Sequence, residues 1–315
     1  MNDTVLVLSA ASAIVAGTPI LLAALGEIIT ERAGVMNLGV EGMMLVGGVA
    51  AFWAGVHTHS LTLALLVGGL AGAAMAMIHA VLAVSMRVNQ TVSGLSLVIV
   101  GSGLSSFLGS SGDQPLLQAQ NGVEVERLLP AGLADVPAVG PIVFGHDPVV
   151  YVTWLAVAVA GYLLYRTSAG LTLRAVGEDP AAADAAGINV VRVRYLATAI
   201  GGFGAGVGGG YLALAVLGTW QNGMTAGAGW IAVALVILAG WRPWLAFVGA
   251  YAFGALRGLG FTLQIAQVAI PSDFLTMIPF IAAYVVVVLV SASPSRARRV
   301  AAPAALGAPY SRESR

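Results

Sequence analysis

The sequence predicts an all-α membrane protein that crosses the bilayer about nine times, within a range of about eight to ten. Hydrophobic residues make up 58% of its 315 residues and charged residues 9%, and the mean hydropathy is +0.91. A soluble domain usually carries about 25% charged residues, so this composition requires lipid as the solvent. Apolar runs of spanning length recur along the chain, and its 41 glycines suit close helix packing in a bilayer.

Composition also excludes several classes of function. There is no cysteine, which rules out disulfides, thiol catalysis and thiolate metal sites. Every basic side chain is an arginine, and a Walker-type phosphate loop needs a lysine, so energy from ATP would have to come from another subunit. A net charge of zero argues against nucleic acid as a partner. We predict no catalytic residue, no metal site and no cofactor.

Taken in order, the apolar runs define a membrane domain over residues 1–292. The predicted spans are 5–25, 34–55, 61–85, 91–109, 149–165, 195–217, 226–240, 244–262 and 274–292. Residues 27–33 (EIITERA) predict a short charged turn, and residues 110–148, with prolines and acids, predict an irregular external loop. Residues 293–315, basic and rich in alanine and proline, predict a disordered cytoplasmic tail.

The distribution of arginines predicts the orientation. With residues 171–194 placed in the cytoplasm, most arginines fall on the inner side and most loop acids on the outer side. The inner arginines are Arg32, Arg87, Arg166, Arg174, Arg192, Arg194, Arg242, Arg296, Arg298, Arg299, Arg312 and Arg315. The positive-inside rule then places the amino terminus outside and the carboxyl terminus in the cytoplasm.

Residues 171–194 carry mixed charge and their own helix signals. Asp179 predicts an N-cap, Pro180 suits the first helical position, and Gly187 suits the left-handed residue after the helix. The intervening PAAADAA makes about two turns of small side chains, which could lie in a shallow groove of a partner. The alternative is an ordinary connecting loop.

Polar residues interrupt the second span and the start of the fourth. Asn37 and Glu41 lie four residues apart, on one helix face. Either both line or gate a translocation path, or Glu41 lies near the cytoplasmic interface and bonds backbone groups at a broken helix. Asn89, Gln90 and Ser93 either contact a polar solute or cap a helix.

Other polar and aromatic positions have weaker signals. His79 is alone in the third span and is predicted to be packed and hydrogen-bonded, whereas His57 and His59 are predicted to be solvated. GGFGAGVGGGY (201–211) predicts a helix-packing seam, either internal or between subunits. Trp220 and Asn222 are interpreted as part of an aromatic belt at the outer interface, with stacking on a hydroxylated ring as the alternative.

Three stretches together resemble one known family. ERAGVMNLGVEGMMLVGG (31–48), GLTLRAVGEDPAAADAAGINVVRVRYLA (170–197) and TAGAGWIAVALVILAGWRP (225–243) are similar to motifs of permease subunits of ATP-binding cassette (ABC) importers for simple sugars and nucleosides. The resemblance covers most of the chain from 18 to 292. Within the family, which includes branched-chain amino acid permeases, it is nearest to the purine-nucleoside type.

The resemblance implies a multi-pass permease of the bacterial inner membrane that translocates a neutral polar solute, most simply a nucleoside. Its partners would be separate ATP-binding subunits, which hydrolyse the ATP, a second permease (a sister chain or a second copy), an external substrate-binding lipoprotein and membrane lipid. The residues implied to couple to the ATPase are Arg174, Glu178, Asp179, Ala182, Asp184 and Gly187. Those implied near the path are Asn37, Glu41, Asn89, Gln90, Ser93, Trp220 and Asn222.

Four alternatives remain open at this point. The solute could be a pentose, or a branched-chain amino acid, although a zwitterion should require more charges in its path. The chain could be an ion-coupled secondary transporter in which Glu41 titrates. An intramembrane serine protease using His79 would need a nucleophile motif that the sequence lacks.

Overall fold

The computed structural model describes residues 3–111, 115–134, 136–265 and 301–311, with isolated positions between 274 and 288. Within them, all regular structure is helical, so the predicted all-α class is confirmed. The helices are α1 (Asp3–Arg32), α2 (Val40–Thr58), α3 (Leu61–Ala80), α4 (Gln90–Ser110), α5 (Ala131–Ala134), α6 (Pro148–Arg166), α7 (Ser168–Glu178), α8 (Pro180–Ala185), α9 (Val190–Tyr211), α10 (Ala228–Leu238) and α11 (Pro243–Ile265). Five-residue π-helical turns extend α3 and precede α6, and a six-residue one extends α9.

In the described part of the chain, six helical stretches are long and apolar enough to cross a membrane. They are Val7–Arg32, Val40–Thr58, Leu61–Ser85, Gln90–Ser110, Pro148–Arg166 and Val190–Leu217. The seventh predicted span is α10, whose 11 residues reach about 16 Å, roughly half of the hydrocarbon core. The eighth is α11, which has the length but carries Arg257. The ninth, 274–292, lies mostly outside the described residues.

Helix α9 forms the centre of the bundle, and its glycines explain why. A Cβ on Gly202 would lie 2.5 Å from the carbonyl oxygen of Gly72, and one on Gly206 would lie 2.2 Å from that of Gly68, both in α3. On another face, a Cβ on Gly209 would lie 1.9 Å from the carbonyl oxygen of Met44 in α2. The predicted glycine seam is therefore internal to the chain, and it holds α2 and α3 against α9 at backbone contact distance.

Helix α1 runs on to Arg32, so the charged turn predicted at 27–33 is wrong. The charged side chains at its end, Glu31 and Arg32, form hydrogen bonds with residues that directly follow α10. The Arg32 guanidinium donates to the carbonyl oxygen of Gly240 at 3.2 Å, and the indole of Trp241 donates to Glu31. Because these partners lie about 200 residues away in the sequence, local composition could not reveal them.

Helices α7 and α8 form a short hairpin between α6 and α9, which we call the coupling segment (residues 168–187). Sequence analysis anticipated α8 but not α7, and α9 begins at Val190, five residues before the predicted sixth span. We refer to the end of the bundle that carries this segment as the α8 end. The described residues between 115 and 147 lie at the opposite end, where the Nδ2 of Asn121 donates to the carbonyl oxygen of Leu214 at 2.8 Å.

Residues 301–311, predicted as part of a disordered tail, are ordered and packed against the α8 end. Ala305 is buried, and its N–H donates to the carbonyl oxygen of Gly177 at 2.9 Å. The N–H of Gly307 donates to the carbonyl oxygen of Gly34 at 3.2 Å. The composition suggested disorder because small residues bury little surface, but here their small size permits a close approach of backbones.

Candidate functional site

The coupling segment has the end signals that the sequence predicted for α8. One carboxylate oxygen of Asp179 accepts from the N–H groups of Ala181 at 3.0 Å and Ala182 at 2.9 Å, which confirms the N-cap. Gly187 has φ of +87° and ends the helix in the left-handed conformation, as predicted. A helix of six residues is too short to be stable alone, so its two caps and its neighbours must fix its position.

The outer face of α8 consists of methyl groups. Ala181, Ala182, Ala185 and Ala186 are exposed, whereas Ala183 and Asp184 are buried beneath them. The exposed face therefore has no long side chain and no charge along its length. Such a surface has little side-chain entropy to lose when a partner covers it, and it allows close approach.

The six residues proposed for coupling divide into two sets. Exposed residues are Glu178, Asp179, Ala182 and Gly187. The other two turn inward: Asp184 is 8% exposed, and the guanidinium of Arg174 lies 5.5 Å from the centroid of the Tyr165 ring in a cation–π contact. The inward pair fixes the segment to the bundle rather than facing a partner.

Residues 33–39, which we call the α1–α2 junction, form a second polar region inside the bundle. The N–H of Met36 donates to Oε1 of Gln90 at 2.7 Å, and Nε2 of His79 bonds the carbonyl oxygen of Met36 at 3.0 Å. Because a carbonyl can only accept, Nε2 carries the proton, and Nδ1 of the neutral ring accepts from the Ser93 hydroxyl at 2.9 Å. Polar side chains of α3 and α4 thus replace helical hydrogen bonds where the backbone is irregular.

Asn37 bonds in two directions within the junction. Its Oδ1 accepts from the N–H of Gly39 at 3.0 Å, and its Nδ2 donates to Glu27 at 3.0 Å. Asn37 is fully buried and Glu27 is 1% exposed. The other oxygen of Glu27 has no hydrogen-bond partner among the described residues.

Glu41 connects the start of α2 to the start of α10. Its carboxylate accepts from the hydroxyl of Thr225 at 2.6 Å, the N–H of Gly227 at 3.0 Å and the N–H of Gly229 at 2.7 Å. Gly227 is the N-cap of α10 and has no side chain of its own, so Glu41 supplies the cap from 186 residues away. A carboxylate at a helix N-terminus is also stabilised by the helix dipole. Of the two interpretations of Glu41, bonding to backbone at a broken helix describes its contacts here.

The seven residues predicted to lie near a translocation path differ in their burial. Five are buried, namely Asn37, Glu41, Gln90, Ser93 and Trp220. Asn222 is exposed, and Asn89 is exposed and caps α4 by accepting from the N–H of Val92 at 3.1 Å. The aromatic-belt interpretation of Trp220 is wrong: its indole is fully buried and lies against Gly109, where a Cβ would come within 2.2 Å of the ring.

Sequence analysis missed several residues that build these regions. Glu27 and Glu31 were assigned to a turn, although two acids four residues apart beside an apolar run could also have suggested one buried helix face. Arg194, 1% exposed, was counted only among the arginines on the inner side, with no partner predicted. Thr225 and Trp241 gave no signal, because their roles depend on distant partners. No cluster of three or more His, Asp or Glu in the described chain could hold a metal ion.

Comparison with known proteins identifies the family. The profile of the family described as "Branched-chain amino acid transport system / permease component" matches residues 9–289. The chain belongs to this permease family. Its members include permeases of ABC transporters, so the chain is a multi-pass inner (plasma) membrane permease subunit that associates with ATP-binding subunits and a substrate-binding protein.

Three relatives indicate the range of solutes in this permease family. The chain is 40% identical to the "Putative glucose ABC transporter permease protein TsgC13" of Haloferax volcanii, over 81% of this chain and 77% of the relative. It is 32% identical to the "Guanosine ABC transporter permease protein NupQ" of Bacillus subtilis, over 94% of both chains. It is 31% identical to the "Nucleoside ABC transporter permease protein NupC" of Lactococcus lactis, over 89% of this chain and 90% of the relative. No solved structure matches.

Proposed function

We propose that this permease subunit imports nucleosides and is driven by ATP-binding subunits that dock on α8. The choice of solute rests on the share of this chain over which each relative is similar to it. The similarity to the guanosine permease spans 94% of the chain and that to the nucleoside permease 89%. The similarity to the glucose relative is higher but spans 81%. A sugar is therefore the second candidate, favoured by the 40% identity.

The geometry of the coupling segment supports the docking role. A lever that transmits closure of the ATPase dimer needs defined ends and a close-fitting face. The cap at Asp179 and the turn at Gly187 provide the ends, and four exposed alanine methyl groups provide the face. We place this end of the bundle in the cytoplasm, with the amino terminus outside, because the arginines concentrate on that side. ATP hydrolysis is assigned to the separate subunits, since the chain has no lysine for a phosphate loop.

The path for the solute is proposed to run beside the two irregular stretches of the bundle. The α1–α2 junction interrupts the helices in the interior, and residues 218–227, which include the buried Trp220 and Thr225 and the exposed Asn222, do so partly at the surface. Irregular backbone at membrane depth is tolerated where it is buried in protein or lines a water-filled cavity, and transporters commonly bind solutes beside broken helices. Asn37, Glu41, Gln90 and Ser93 hold the wall at the junction, while Trp220 and Asn222 lie on the second stretch. Asn89 caps the helix next to the junction.

The complete importer is proposed to contain a second permease, either a sister chain or a second copy, with the path between the two. Described apolar residues remain exposed on α3, α4 and α6, including Leu70, Ile99 and Leu155. These faces fit lipid and a neighbouring permease. The substrate-binding lipoprotein would deliver solute at the end opposite α8, near residues 110–148 and 218–224.

Uptake by whole cells tests the choice of solute. In cells lacking this chain, expression of the chain should restore uptake of radiolabelled guanosine, and a tenfold excess of unlabelled glucose or pentose should not compete. Restored glucose uptake without guanosine uptake would select the sugar alternative. Removal of the ATP-binding subunit serves as the energy control. Uptake that persists without that subunit would support an ion-coupled transporter instead.

A further inference from the structure

Residues 303–310 cross the α8 end as an ordered strap. We call them the C-terminal strap. Its backbone bonds to two elements that are far apart in sequence: the end of α7 through Gly177, and the α1–α2 junction through Gly34. Gly307 adopts φ of +77°, and its turn redirects the chain between the two contacts.

Arg194 of α9 lies under the strap and joins it to α1. Its Nε donates to the carbonyl oxygen of Ala33 at 3.2 Å, and its Nη1 donates to that of Ala308 at 3.1 Å. At 1% exposure, its guanidinium has little access to water. Burying a charge is costly unless its N–H groups are bonded, so removal of the strap would leave this guanidinium less well satisfied.

The strap also contacts the coupling segment at two further points. The N–H of Ala304 donates to the carboxylate of Glu178 at 3.2 Å, just before the cap of α8. The hydroxyl of Tyr310 donates to the carboxylate of Asp184 at 3.0 Å, beneath α8. Tyr310 also packs against the buried cluster formed by Val176, Ala183 and Val190, to which α8 contributes Ala183.

We propose that the C-terminal strap is a permanent brace that fastens the coupling segment to α1 and α9, with Tyr310 and Arg194 as positioning residues. Its role in coupling rests on the proposed function of α8. A six-residue helix that is pushed by a partner can tilt locally or move with the helices behind it. The strap joins α7, α8, α9 and the α1–α2 junction through hydrogen bonds, so a displacement of α8 is passed to the spans instead of being lost in local motion.

The first test asks whether the brace is needed for coupling. The complete importer, reconstituted in proteoliposomes with its binding protein, is measured for solute imported per ATP hydrolysed. Gly307→Val forces a β-branched residue to positive φ and should detach the strap, lowering this ratio about tenfold. Ala301→Val adds the same side chain at an exposed position just before the strap and should leave the ratio unchanged.

A milder pair of variants keeps the fold and tests the contact under α8. Tyr310→Phe retains the ring and removes the bond to Asp184, and it should lower the imported solute per ATP severalfold while basal ATP hydrolysis continues. Tyr162→Phe, at a residue 63% exposed on α6, is the matched control. An unchanged ratio in both Gly307→Val and Tyr310→Phe would overturn the proposal.

The second test does not depend on the solute. The chain has no cysteine, so Glu178→Cys with Ala304→Cys provides a unique pair for oxidation in membranes. A permanent brace predicts that this pair crosslinks and that the crosslinked importer transports as well as the same variant after reduction. Failure to crosslink, or a crosslinked importer that is inactive and recovers on reduction, would refute a permanent brace. If the pair crosslinks but no nucleoside is imported before or after reduction, the proposed solute is wrong and the proposed brace is retained.

Discussion

The coupling segment and the α1–α2 junction are both polar regions of an apolar chain, yet they are built in opposite ways. In the coupling segment, the ends of α8 are set by bonds between close neighbours, such as Asp179 to Ala181, and the helix presents an exposed face of methyl groups. The junction is buried, and its bonds reach across the bundle, as from Met36 to Gln90 and from Asn37 to Glu27. The first is a surface whose shape is defined locally, and the second is an interior joint whose shape depends on four helices.

This difference explains what each region can do. A surface whose ends are fixed locally can keep its form while it moves together with the spans to which the strap fastens it, which suits contact with a moving partner. A joint in which buried polar groups bond one another is costly to disturb, because each broken bond leaves a desolvated group. The junction therefore favours discrete arrangements over gradual deformation, and displacement of α8 should reach it through α1 and the C-terminal strap.

The largest expected effect of a single substitution lies at Glu41, just after the α1–α2 junction. Glu41→Ala removes the acceptor for Thr225, Gly227 and Gly229 at once and leaves a helix N-terminus uncapped in the interior. We expect a loss of about 3 kcal/mol or more of stability, because three donors lose their acceptor at a cost of about 1–3 kcal/mol for each one left buried and unsatisfied. Thermal denaturation of the detergent-solubilised protein, followed by size-exclusion chromatography, measures it. Glu124→Ala, at an exposed position, is the control, and equal stability of the two variants would show that Glu41 does not hold α10.

A smaller, local effect is expected in the coupling segment. A Cβ added at Gly187 meets nothing within 4 Å, so Gly187→Val has space but is strained at φ of +87°. The strain costs about 1–2 kcal/mol and should displace the end of α8, so that uptake falls at least tenfold while the protein still inserts and denatures as the wild type. Gly187→Asn tolerates this conformation and should keep most uptake. Wild-type uptake by Gly187→Val would refute the assignment of α8 as the coupling helix.

The two regions also differ in how far the sequence predicted them. The ends of α8 follow from residues within two or three positions, and Asp179, Pro180 and Gly187 were assigned correctly. At the junction, Asn37 and Glu41 were recognised as unusual, but their partners were not, because contacts such as Glu41 to Gly229 join residues 188 positions apart. Hydropathy located the six long apolar helices of the described chain, and it also predicted a span at α10, whose 11 residues are too short to cross alone, since it records composition and not helix length.

Order in the C-terminal strap was missed for the same reason. Alanine, proline and glycine suggest disorder when no partner is visible, and the partners of the strap are backbone groups at Gly34 and Gly177. Those two glycines carry no side-chain signal of a contact. A pattern search confined to neighbouring residues cannot find a bond of this kind.

A single cysteine placed in each region of the cysteine-free chain compares the access of a water-soluble reagent to the two regions. Ala182→Cys adds a thiol on the exposed face of α8, and Ser93→Cys replaces one small polar group by another at a position 3% exposed. Thiolates react only where the reagent can reach them. In inside-out vesicles, a membrane-impermeant maleimide should therefore label Ala182→Cys at least a hundredfold faster than Ser93→Cys. In right-side-out vesicles, Ala182→Cys should stay unlabelled until the membrane is permeabilised. Labelling of α8 from the outside would reverse the proposed orientation, and rapid labelling of Ser93→Cys would mean that the junction opens to water rather than remaining a sealed joint.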